Sequence, residues 1–226
     1  MKQVTEPATR KSEHPVAADT PYAPSRSYRR PVQEGGVVWL TGLSGAGKST
    51  LAGAVASILT SHGMRSAVLD GDVLRCGLNR DLGFSAPDRE ENMRRTGEVA
   101  ALFANEGLIA IVALISPLAA LRAQVREIVG NRFREVYVKA SVETCEARDP
   151  KGLYGKARRG ELLDFTGVSA PYEPPLHADW IVDTETQTVG QCITQLANYV
   201  ECQFVASWDT RERRVPSRGV HTTDLI

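Results

Sequence analysis

"GLSGAGKST", Gly42–Thr50, follows the apolar run "VVWLT" and precedes a stretch with apolar residues at helical spacing. Gly42, Gly47, Lys48 and Ser49 fit G-x-x-x-x-G-K-[ST] in the setting that pattern requires, a strand before it and a helix after it. Glycines let the backbone curl so that several N–H groups converge on one anion, and the N-terminus of the following helix adds partial positive charge. Lys48 can reach the outer phosphates, and the Ser49 hydroxyl can ligate Mg²⁺. The stretch predicts a nucleoside triphosphate site. Loops of this kind serve motors, switches and kinases alike, so the destination of the phosphate must be read from other residues.

On either side of this loop, strand-like and helix-like segments alternate. "VVWLT" (37–41), "SAVLD" (66–70), "LIAIVALIS" (108–116), "EVYVKA" (135–140) and "DWIVDT" (179–184) read as strands. The run at 108–116 is the most apolar and is expected at the centre of the sheet. Helices are expected over 49–62, stopped by Gly63; from a capping Asp88 to Gly107; over "LRAQVREIV"; from "VETCEAR"; and from Val189 to Phe204. Alternation of this kind implies an α/β fold, a parallel sheet with helices on both faces. Ligands of such sheets bind beyond the carboxyl ends of the strands, where Gly42–Thr50, Asp70–Asp72 and Ser116–Pro117 all fall.

The 226 residues suit one sizeable domain, expected over 35–205. Residues 1–34 hold five of the twelve prolines among polar and charged residues, and 206–226 are similarly polar; both are expected to be tails. Lys+Arg and Asp+Glu balance at 27 each, which gives no global electrostatic case for a nucleic-acid partner. No apolar run reaches the roughly 18–20 residues of a membrane span, and no signal-peptide core is seen. Cys76, Cys145, Cys192 and Cys202 form no CxxC and have no histidine at metal-ligand spacing. Reduced thiols in a cytoplasmic protein are expected.

In "LDGD" (69–72), Gly71 is expected to make a sharp turn that brings Asp70 and Asp72 to the mouth of the loop. A carboxylate there can hold Mg²⁺, accept a proton from an attacking hydroxyl, or cap a helix. Ser116 in "ISP" can contact substrate, cap the next helix or act as a nucleophile; no base lies near in sequence, which favours a structural or substrate-contact role. "ARDPKGLYGKARRGELLDFTGVSAPYEPP" (147–175) combines basic residues, Gly and Pro breaks, and Tyr154, Phe165 and Tyr172. That composition suits a lid, which a kinase needs to keep water from the phosphoryl group.

Together, "GLSGAGKST", "LDGD" followed by Arg75, "GLNRDLGFS", "DREEN" followed by "RR", "GEVAALFANEGLI", "ISP", "RDPKGLYGKARRGE" and "FTGVSAPYEPP" resemble the adenylylsulfate kinase (APS kinase) family over roughly residues 35–200. The resemblance implies a three-layer P-loop kinase fold with a lid, and transfer of the γ-phosphoryl of MgATP to the 3′-hydroxyl of adenylylsulfate. By motif it implies ATP contacts from Gly42, Ser44, Gly45, Ala46, Gly47, Lys48, Ser49 and Thr50, and Mg²⁺ contacts from Ser49 and Asp70. Lys48, Asp72 and Ser116 would be the catalytic group, Asp72 as base or metal-linked carboxylate. Asp72, Arg75, Phe84, Arg89, Asn92, Ile115, Ser116, Lys151 and Phe165 would hold adenylylsulfate. Phe84 and Phe165 can sandwich an adenine, and Arg75 and Arg89 can meet phosphosulfate oxygens. The family presents the "ISP" serine as a phosphate carrier; direct in-line transfer is favoured, since Asp72 and the metal suffice. A homodimer is also implied.

The chain departs from the family's usual "DGDNVR" and "FISPYR", reading "DGDVLR" and "LISPLA", with Val73, Leu114, Leu118 and Ala119 at the changed positions. Two other readings stay open: a sister kinase with a different nucleotide-like acceptor, and a regulatory P-loop protein that uses ATP as a switch.

Overall fold

The computed structural model describes residues 33–205. The tails expected over 1–32 and 206–226 lie outside the described residues. Gln33 and Glu34, expected in the first tail, belong to the domain instead. The Gln33 side chain donates to the carbonyls of Arg65 and Gly107, both at 2.8 Å, and the Glu34 N–H donates to the Phe204 carbonyl at 2.8 Å.

Five parallel strands form the sheet: β1 (Gly36–Thr41), β2 (Ser66–Asp70), β3 (Ile109–Ala113), β4 (Phe133–Lys139) and β5 (Trp180–Asp183), in the order β2-β3-β1-β4-β5. The middle strand is therefore β1, not the more apolar β3, which lies one place towards the edge. Both are interior strands covered on both faces, so every residue of each is buried and apolarity alone does not rank them. The strand expected over 108–116 ends at Ala113, because the chain then leaves the sheet and Ser116 takes a left-handed φ of 46°.

Alternation along β1 divides the core into two layers. Val38 and Leu40 cluster with Leu51, Val55 and Leu59 of α1 (Lys48–Ser61) and with Leu196 and Val200 of α7 (Val189–Phe204). Val37 and Trp39 cluster with Met93 and Ala100 of α3 (Ala86–Asn105) and with Leu121 and Val125 of α4 (Ala119–Val129). Each fully buried side chain of this size contributes roughly 1.5–3 kcal/mol. Trp39 carries a polar atom into the core and satisfies it: its Nε1–H donates to Ser116 Oγ at 2.8 Å. Left unpaired, such a donor would cost about 1–3 kcal/mol.

Helix α3 begins earlier than expected. Its cap is Ser85, whose Oγ accepts from the Asp88 N–H, with Pro87 in the first turn; Asp88 sits inside the helix and accepts from the Ser85 hydroxyl at 2.7 Å. Two short helices carry too few turns to show a period and are absent from the sequence reading: α2 (Gly71–Cys76) and α6 (Leu153–Arg158), with α5 (Val142–Arg148) before the latter. Gly71 starts α2 without a left-handed turn, and its need is for space. A Cβ there would lie 2.6 Å from Leu114 Cδ2. All four cysteines are free thiols, and among the described residues no helix is long and apolar enough to cross a membrane.

Candidate active site

The carboxyl ends of β1, β2 and β3 open into one cleft of about 870 Å³. Of the residues expected at the site, all but Gly42 line it. Gly42 lies beneath, where a Cβ would come within 2.5 Å of the Val138 carbonyl, so its glycine answers to strand packing and not to the cleft. Gly45 (φ 79°) and Gly47 (φ 99°) do shape the cleft wall, in the left-handed region that side chains avoid. No side chain caps α1 at Gly47, so the first-turn N–H groups of that helix face the cleft.

Lys48 is buried against the loop it ends. Its Nζ donates to the carbonyls of Gly42 (2.9 Å) and Leu43 (2.7 Å). Burial pushes its ammonium down to about 8, with the Cys145 thiol opposing the shift and the Lys151 charge adding to it. Across the mouth, Ser49 Oγ donates to Asp70 Oδ2 at 2.5 Å, and Asp70 Oδ1 accepts from the Asp72 N–H at 2.9 Å. Asp70 is thus both a helix cap and the carboxylate nearest the loop. The Asp72 carboxylate points into solvent and pairs with Lys151 from the lid.

On the other side, α2, the turn after it and the start of α3 bring the arginines together. Arg75 Nη1 donates to the carbonyls of Leu82 (3.2 Å) and Gly83 (2.8 Å), and its guanidinium lies 4.3 Å from the centre of the Phe84 ring. Arg89 donates to the Phe84 carbonyl (2.8 Å), to Thr166 Oγ1 (3.1 Å) and to the Asp164 carbonyl (2.7 Å), which links α3 to the lid. These partners are carbonyl and hydroxyl oxygens, not carboxylates, so neither charge is neutralised by them. Burial first, then the Arg89 charge, holds Arg75 below the usual guanidinium range. Asn92 is buried, and its Oδ1 accepts from Asn79 Nδ2 at 2.9 Å. Phe84 is exposed, whereas Phe165 meets Tyr154 edge-on at 5.0 Å.

Ser116 is 3% exposed, with its hydroxyl accepting from Trp39 and donating to the Leu114 carbonyl at 3.2 Å. That is a serine used by its surroundings, at a strained backbone position beside the cleft. Of the residues that depart from the family pattern, only Leu114 lines the cleft; Val73 is exposed on α2, and Leu118 packs against the α3–α4 layer.

Three supporting residues make contacts that the sequence alone does not reveal. Tyr154, wholly buried, donates from its hydroxyl to the Ser44 carbonyl at 3.0 Å and fastens the lid to the loop. Arg148 donates to Thr184, at 2.5 Å to its carbonyl and 3.1 Å to its hydroxyl, and Thr184 Oγ1 donates to the Ala46 carbonyl at 3.0 Å. Arg148 and Tyr154 stand inside the basic, aromatic stretch already marked as a lid; Thr184 has no sequence signal beyond ending a strand.

A phosphate-cradling loop at the head of a parallel sheet, with paired aspartates at its mouth and a basic lid over it, defines a P-loop phosphotransferase. The profile of the adenylylsulphate kinase family matches residues 34–183, and the chain belongs to that family. It is 54% identical over 162 residues to the adenylyl-sulfate kinase of Paraburkholderia xenovorans, covering 72% of this chain and 90% of that one. It is 53% identical over 168 residues to the adenylyl-sulfate kinase of Bacillus licheniformis, with 74% and 85% covered. Among solved structures, the Mycobacterium tuberculosis APS kinase CysC in complex with AMPPNP and APS shares 45% identity at a TM-score of 0.70, over 76% of this chain and 98% of that one.

Proposed function

We propose that this chain transfers the γ-phosphoryl group of MgATP to the 3′-hydroxyl of adenylylsulfate, giving 3′-phosphoadenylylsulfate and ADP. The observation that carries the reading is the meeting, in one cleft, of the phosphate loop with Asp72, Arg75 and Arg89. A switch protein needs the loop but has no use for a second anion site beside it.

In this reading the N–H groups of Gly45–Thr50 and the start of α1 hold the β- and γ-phosphates, with the Lys48 ammonium on the same oxygens. Arg75, Arg89 and Asn92 hold the phosphosulfate of the acceptor, two like charges made compatible by an anion between them. Phe84 and Phe165 flank its adenine. Asp72 accepts the proton of the 3′-hydroxyl as that oxygen attacks phosphorus in line with the departing ADP. Lys151 and the lid close over the reacting groups and exclude water. Ser116 positions rather than carries: its hydroxyl is spent on Trp39 and Leu114, so no phosphoserine is required.

The donors fit Mg²⁺. Ser49 and Asp70 offer hard oxygens, and among the described residues no group of three acidic, His or Cys side chains forms a closed cage. Mg²⁺ favours such partial sites, completed by phosphate and water. When bound, it would neutralise charge on the phosphate oxygens.

A panel of nucleotide acceptors, each with MgATP and the purified chain, tests the assignment. Adenylylsulfate is expected to give the highest kcat/KM, with adenosine 5′-monophosphate and other nucleotides far below it, because the paired arginines are then incompletely used. A preference for another acceptor would support the sister-kinase reading, which Val73 and Leu118 motivate from the sequence and for which Leu114 is the one departing residue on the cleft wall.

A further inference from the structure

Arg122 of α4 is 3% exposed and has no part in the assignments above. Its guanidinium holds three separate segments: Nε donates to Glu135 Oε1 of β4 at 2.6 Å, Nη1 to the Ser116 carbonyl at 2.7 Å, and Nη2 to the Glu173 carbonyl at 2.8 Å. Further bonds join the last two segments to each other. The Glu173 N–H donates to the Pro117 carbonyl at 2.8 Å, and the Glu173 carboxylate accepts from the Ala119 N–H at 2.7 Å. One residue earlier, the Tyr172 hydroxyl meets Thr41 Oγ1 at 3.1 Å, and Thr41 Oγ1 donates to the Ile115 carbonyl at 2.8 Å.

The segments so joined have different jobs. Ile115 and Ser116 line the acceptor side of the cleft, with Ser116 in a backbone conformation that persists only where its surroundings over-determine it. Residues 172–173 are the point where the chain returns from the lid, whose Lys151 pairs with Asp72 and whose Phe165 lines the cleft. The opposite root of the lid is fixed separately, by the Asp149 carboxylate accepting from the N–H groups of Leu153 (2.8 Å) and Gly155 (3.2 Å) and by Tyr154 on the phosphate loop. The lid thus has one root on the ATP side and one on the acceptor side.

We infer that Arg122 is a positioning residue that locks the Ser116 turn and the C-terminal root of the lid into one unit, coupling acceptor binding to lid closure. The inference rests on the proposed function for its substrate, but not for its mechanics. Net stability is a poor account of the Arg122–Glu135 pair, because a buried ion pair is matched by apolar residues of similar size. The two guanidinium bonds to carbonyls of the cleft wall and the lid root are what apolar residues cannot supply.

The double variant Arg122→Met/Glu135→Met removes both charges together and leaves neither stranded in the core. Its kcat/KM for adenylylsulfate is expected to fall by up to about 100-fold, the effect of a slightly misplaced wall, with ATP affinity unchanged. Backbone amides over 164–175 are expected to exchange faster with deuterium, and those of β1 at the wild-type rate. Arg122→Lys, which keeps the Glu135 pair but loses the fork, should lie between the two. Equal losses for ATP and acceptor, tracking a lower melting temperature, would overturn the inference and leave Arg122 a plain core residue; so would unchanged exchange over 164–175. If the wild-type chain fails to phosphorylate adenylylsulfate, the proposed function falls, while the exchange data still decide whether Arg122 holds the lid root.

Discussion

Asp72→Asn is expected to lower kcat by about 10²–10⁴-fold, the range of a lost general base, with ATP affinity and melting temperature close to wild type. Geometry separates the two effects. The Asp72 carboxylate is 69% exposed, and among the described residues its one ion pair is with the half-exposed Lys151. Exposed pairs contribute about 0–1 kcal/mol to stability, so the substitution removes a proton acceptor without disturbing the fold. Asp70 is unlike it: its carboxylate both caps α2 and accepts from Ser49, so Asp70→Asn would mix structural and catalytic losses. Steady-state kinetics with saturating adenylylsulfate, together with titration of a fluorescent ATP analogue, distinguishes the possibilities. Near wild-type kcat in Asp72→Asn would mean that the acceptor hydroxyl loses its proton elsewhere.

Lys48→Met is expected to reduce kcat by about 10²–10³-fold, the loss that follows removal of one preorganised transition-state donor. It also has a pH signature. Burial holds the Lys48 ammonium at about 8, below its ordinary 10.5. The charged form, which the phosphates need, is present below about pH 8 and is lost as pH rises through it. Wild-type kcat/KM for ATP should therefore be flat below that pH and fall about tenfold per unit above it. Lys48→Met should lack this limb. Stability runs the other way. The folded-state value is depressed, so between about 8 and 10.5 the unfolded chain binds more protons at this site, and the contribution of Lys48 to stability rises with pH. An alkaline fall in activity without a fall in melting temperature is thus assigned to Lys48 and not to unfolding. A flat kcat/KM profile to pH 10 would contradict that assignment.

The phosphate loop was legible because its spacing and its flanking strand and helix are local, and the five strands because each is a short apolar run between turn signals. Position within the sheet was not legible: the higher apolarity of residues 108–116 reflects burial on both faces, a property that β1 shares. Asp88 reads as a cap because it is a good one, but Ser85 is also a good cap and lies before a proline that suits a first turn. Arg75 and Arg89 could be picked from many arginines through the family motifs alone. Gly42 illustrates the reverse. It fits the loop pattern, yet its glycine serves the approach of β4. Val73 and Leu118, two of the positions that depart from the family pattern, lie away from the cleft wall. Arg122 and Thr184 gave no signal, because their roles exist only once strands distant in sequence lie side by side.

The most direct measurement of the central claim is product analysis by mass spectrometry after incubating the chain with MgATP and adenylylsulfate. 3′-Phosphoadenylylsulfate and ADP are expected in equal amounts, with neither formed when adenylylsulfate is omitted. ADP released at the same rate with and without adenylylsulfate, from a protein that is folded and binds ATP, would contradict that claim.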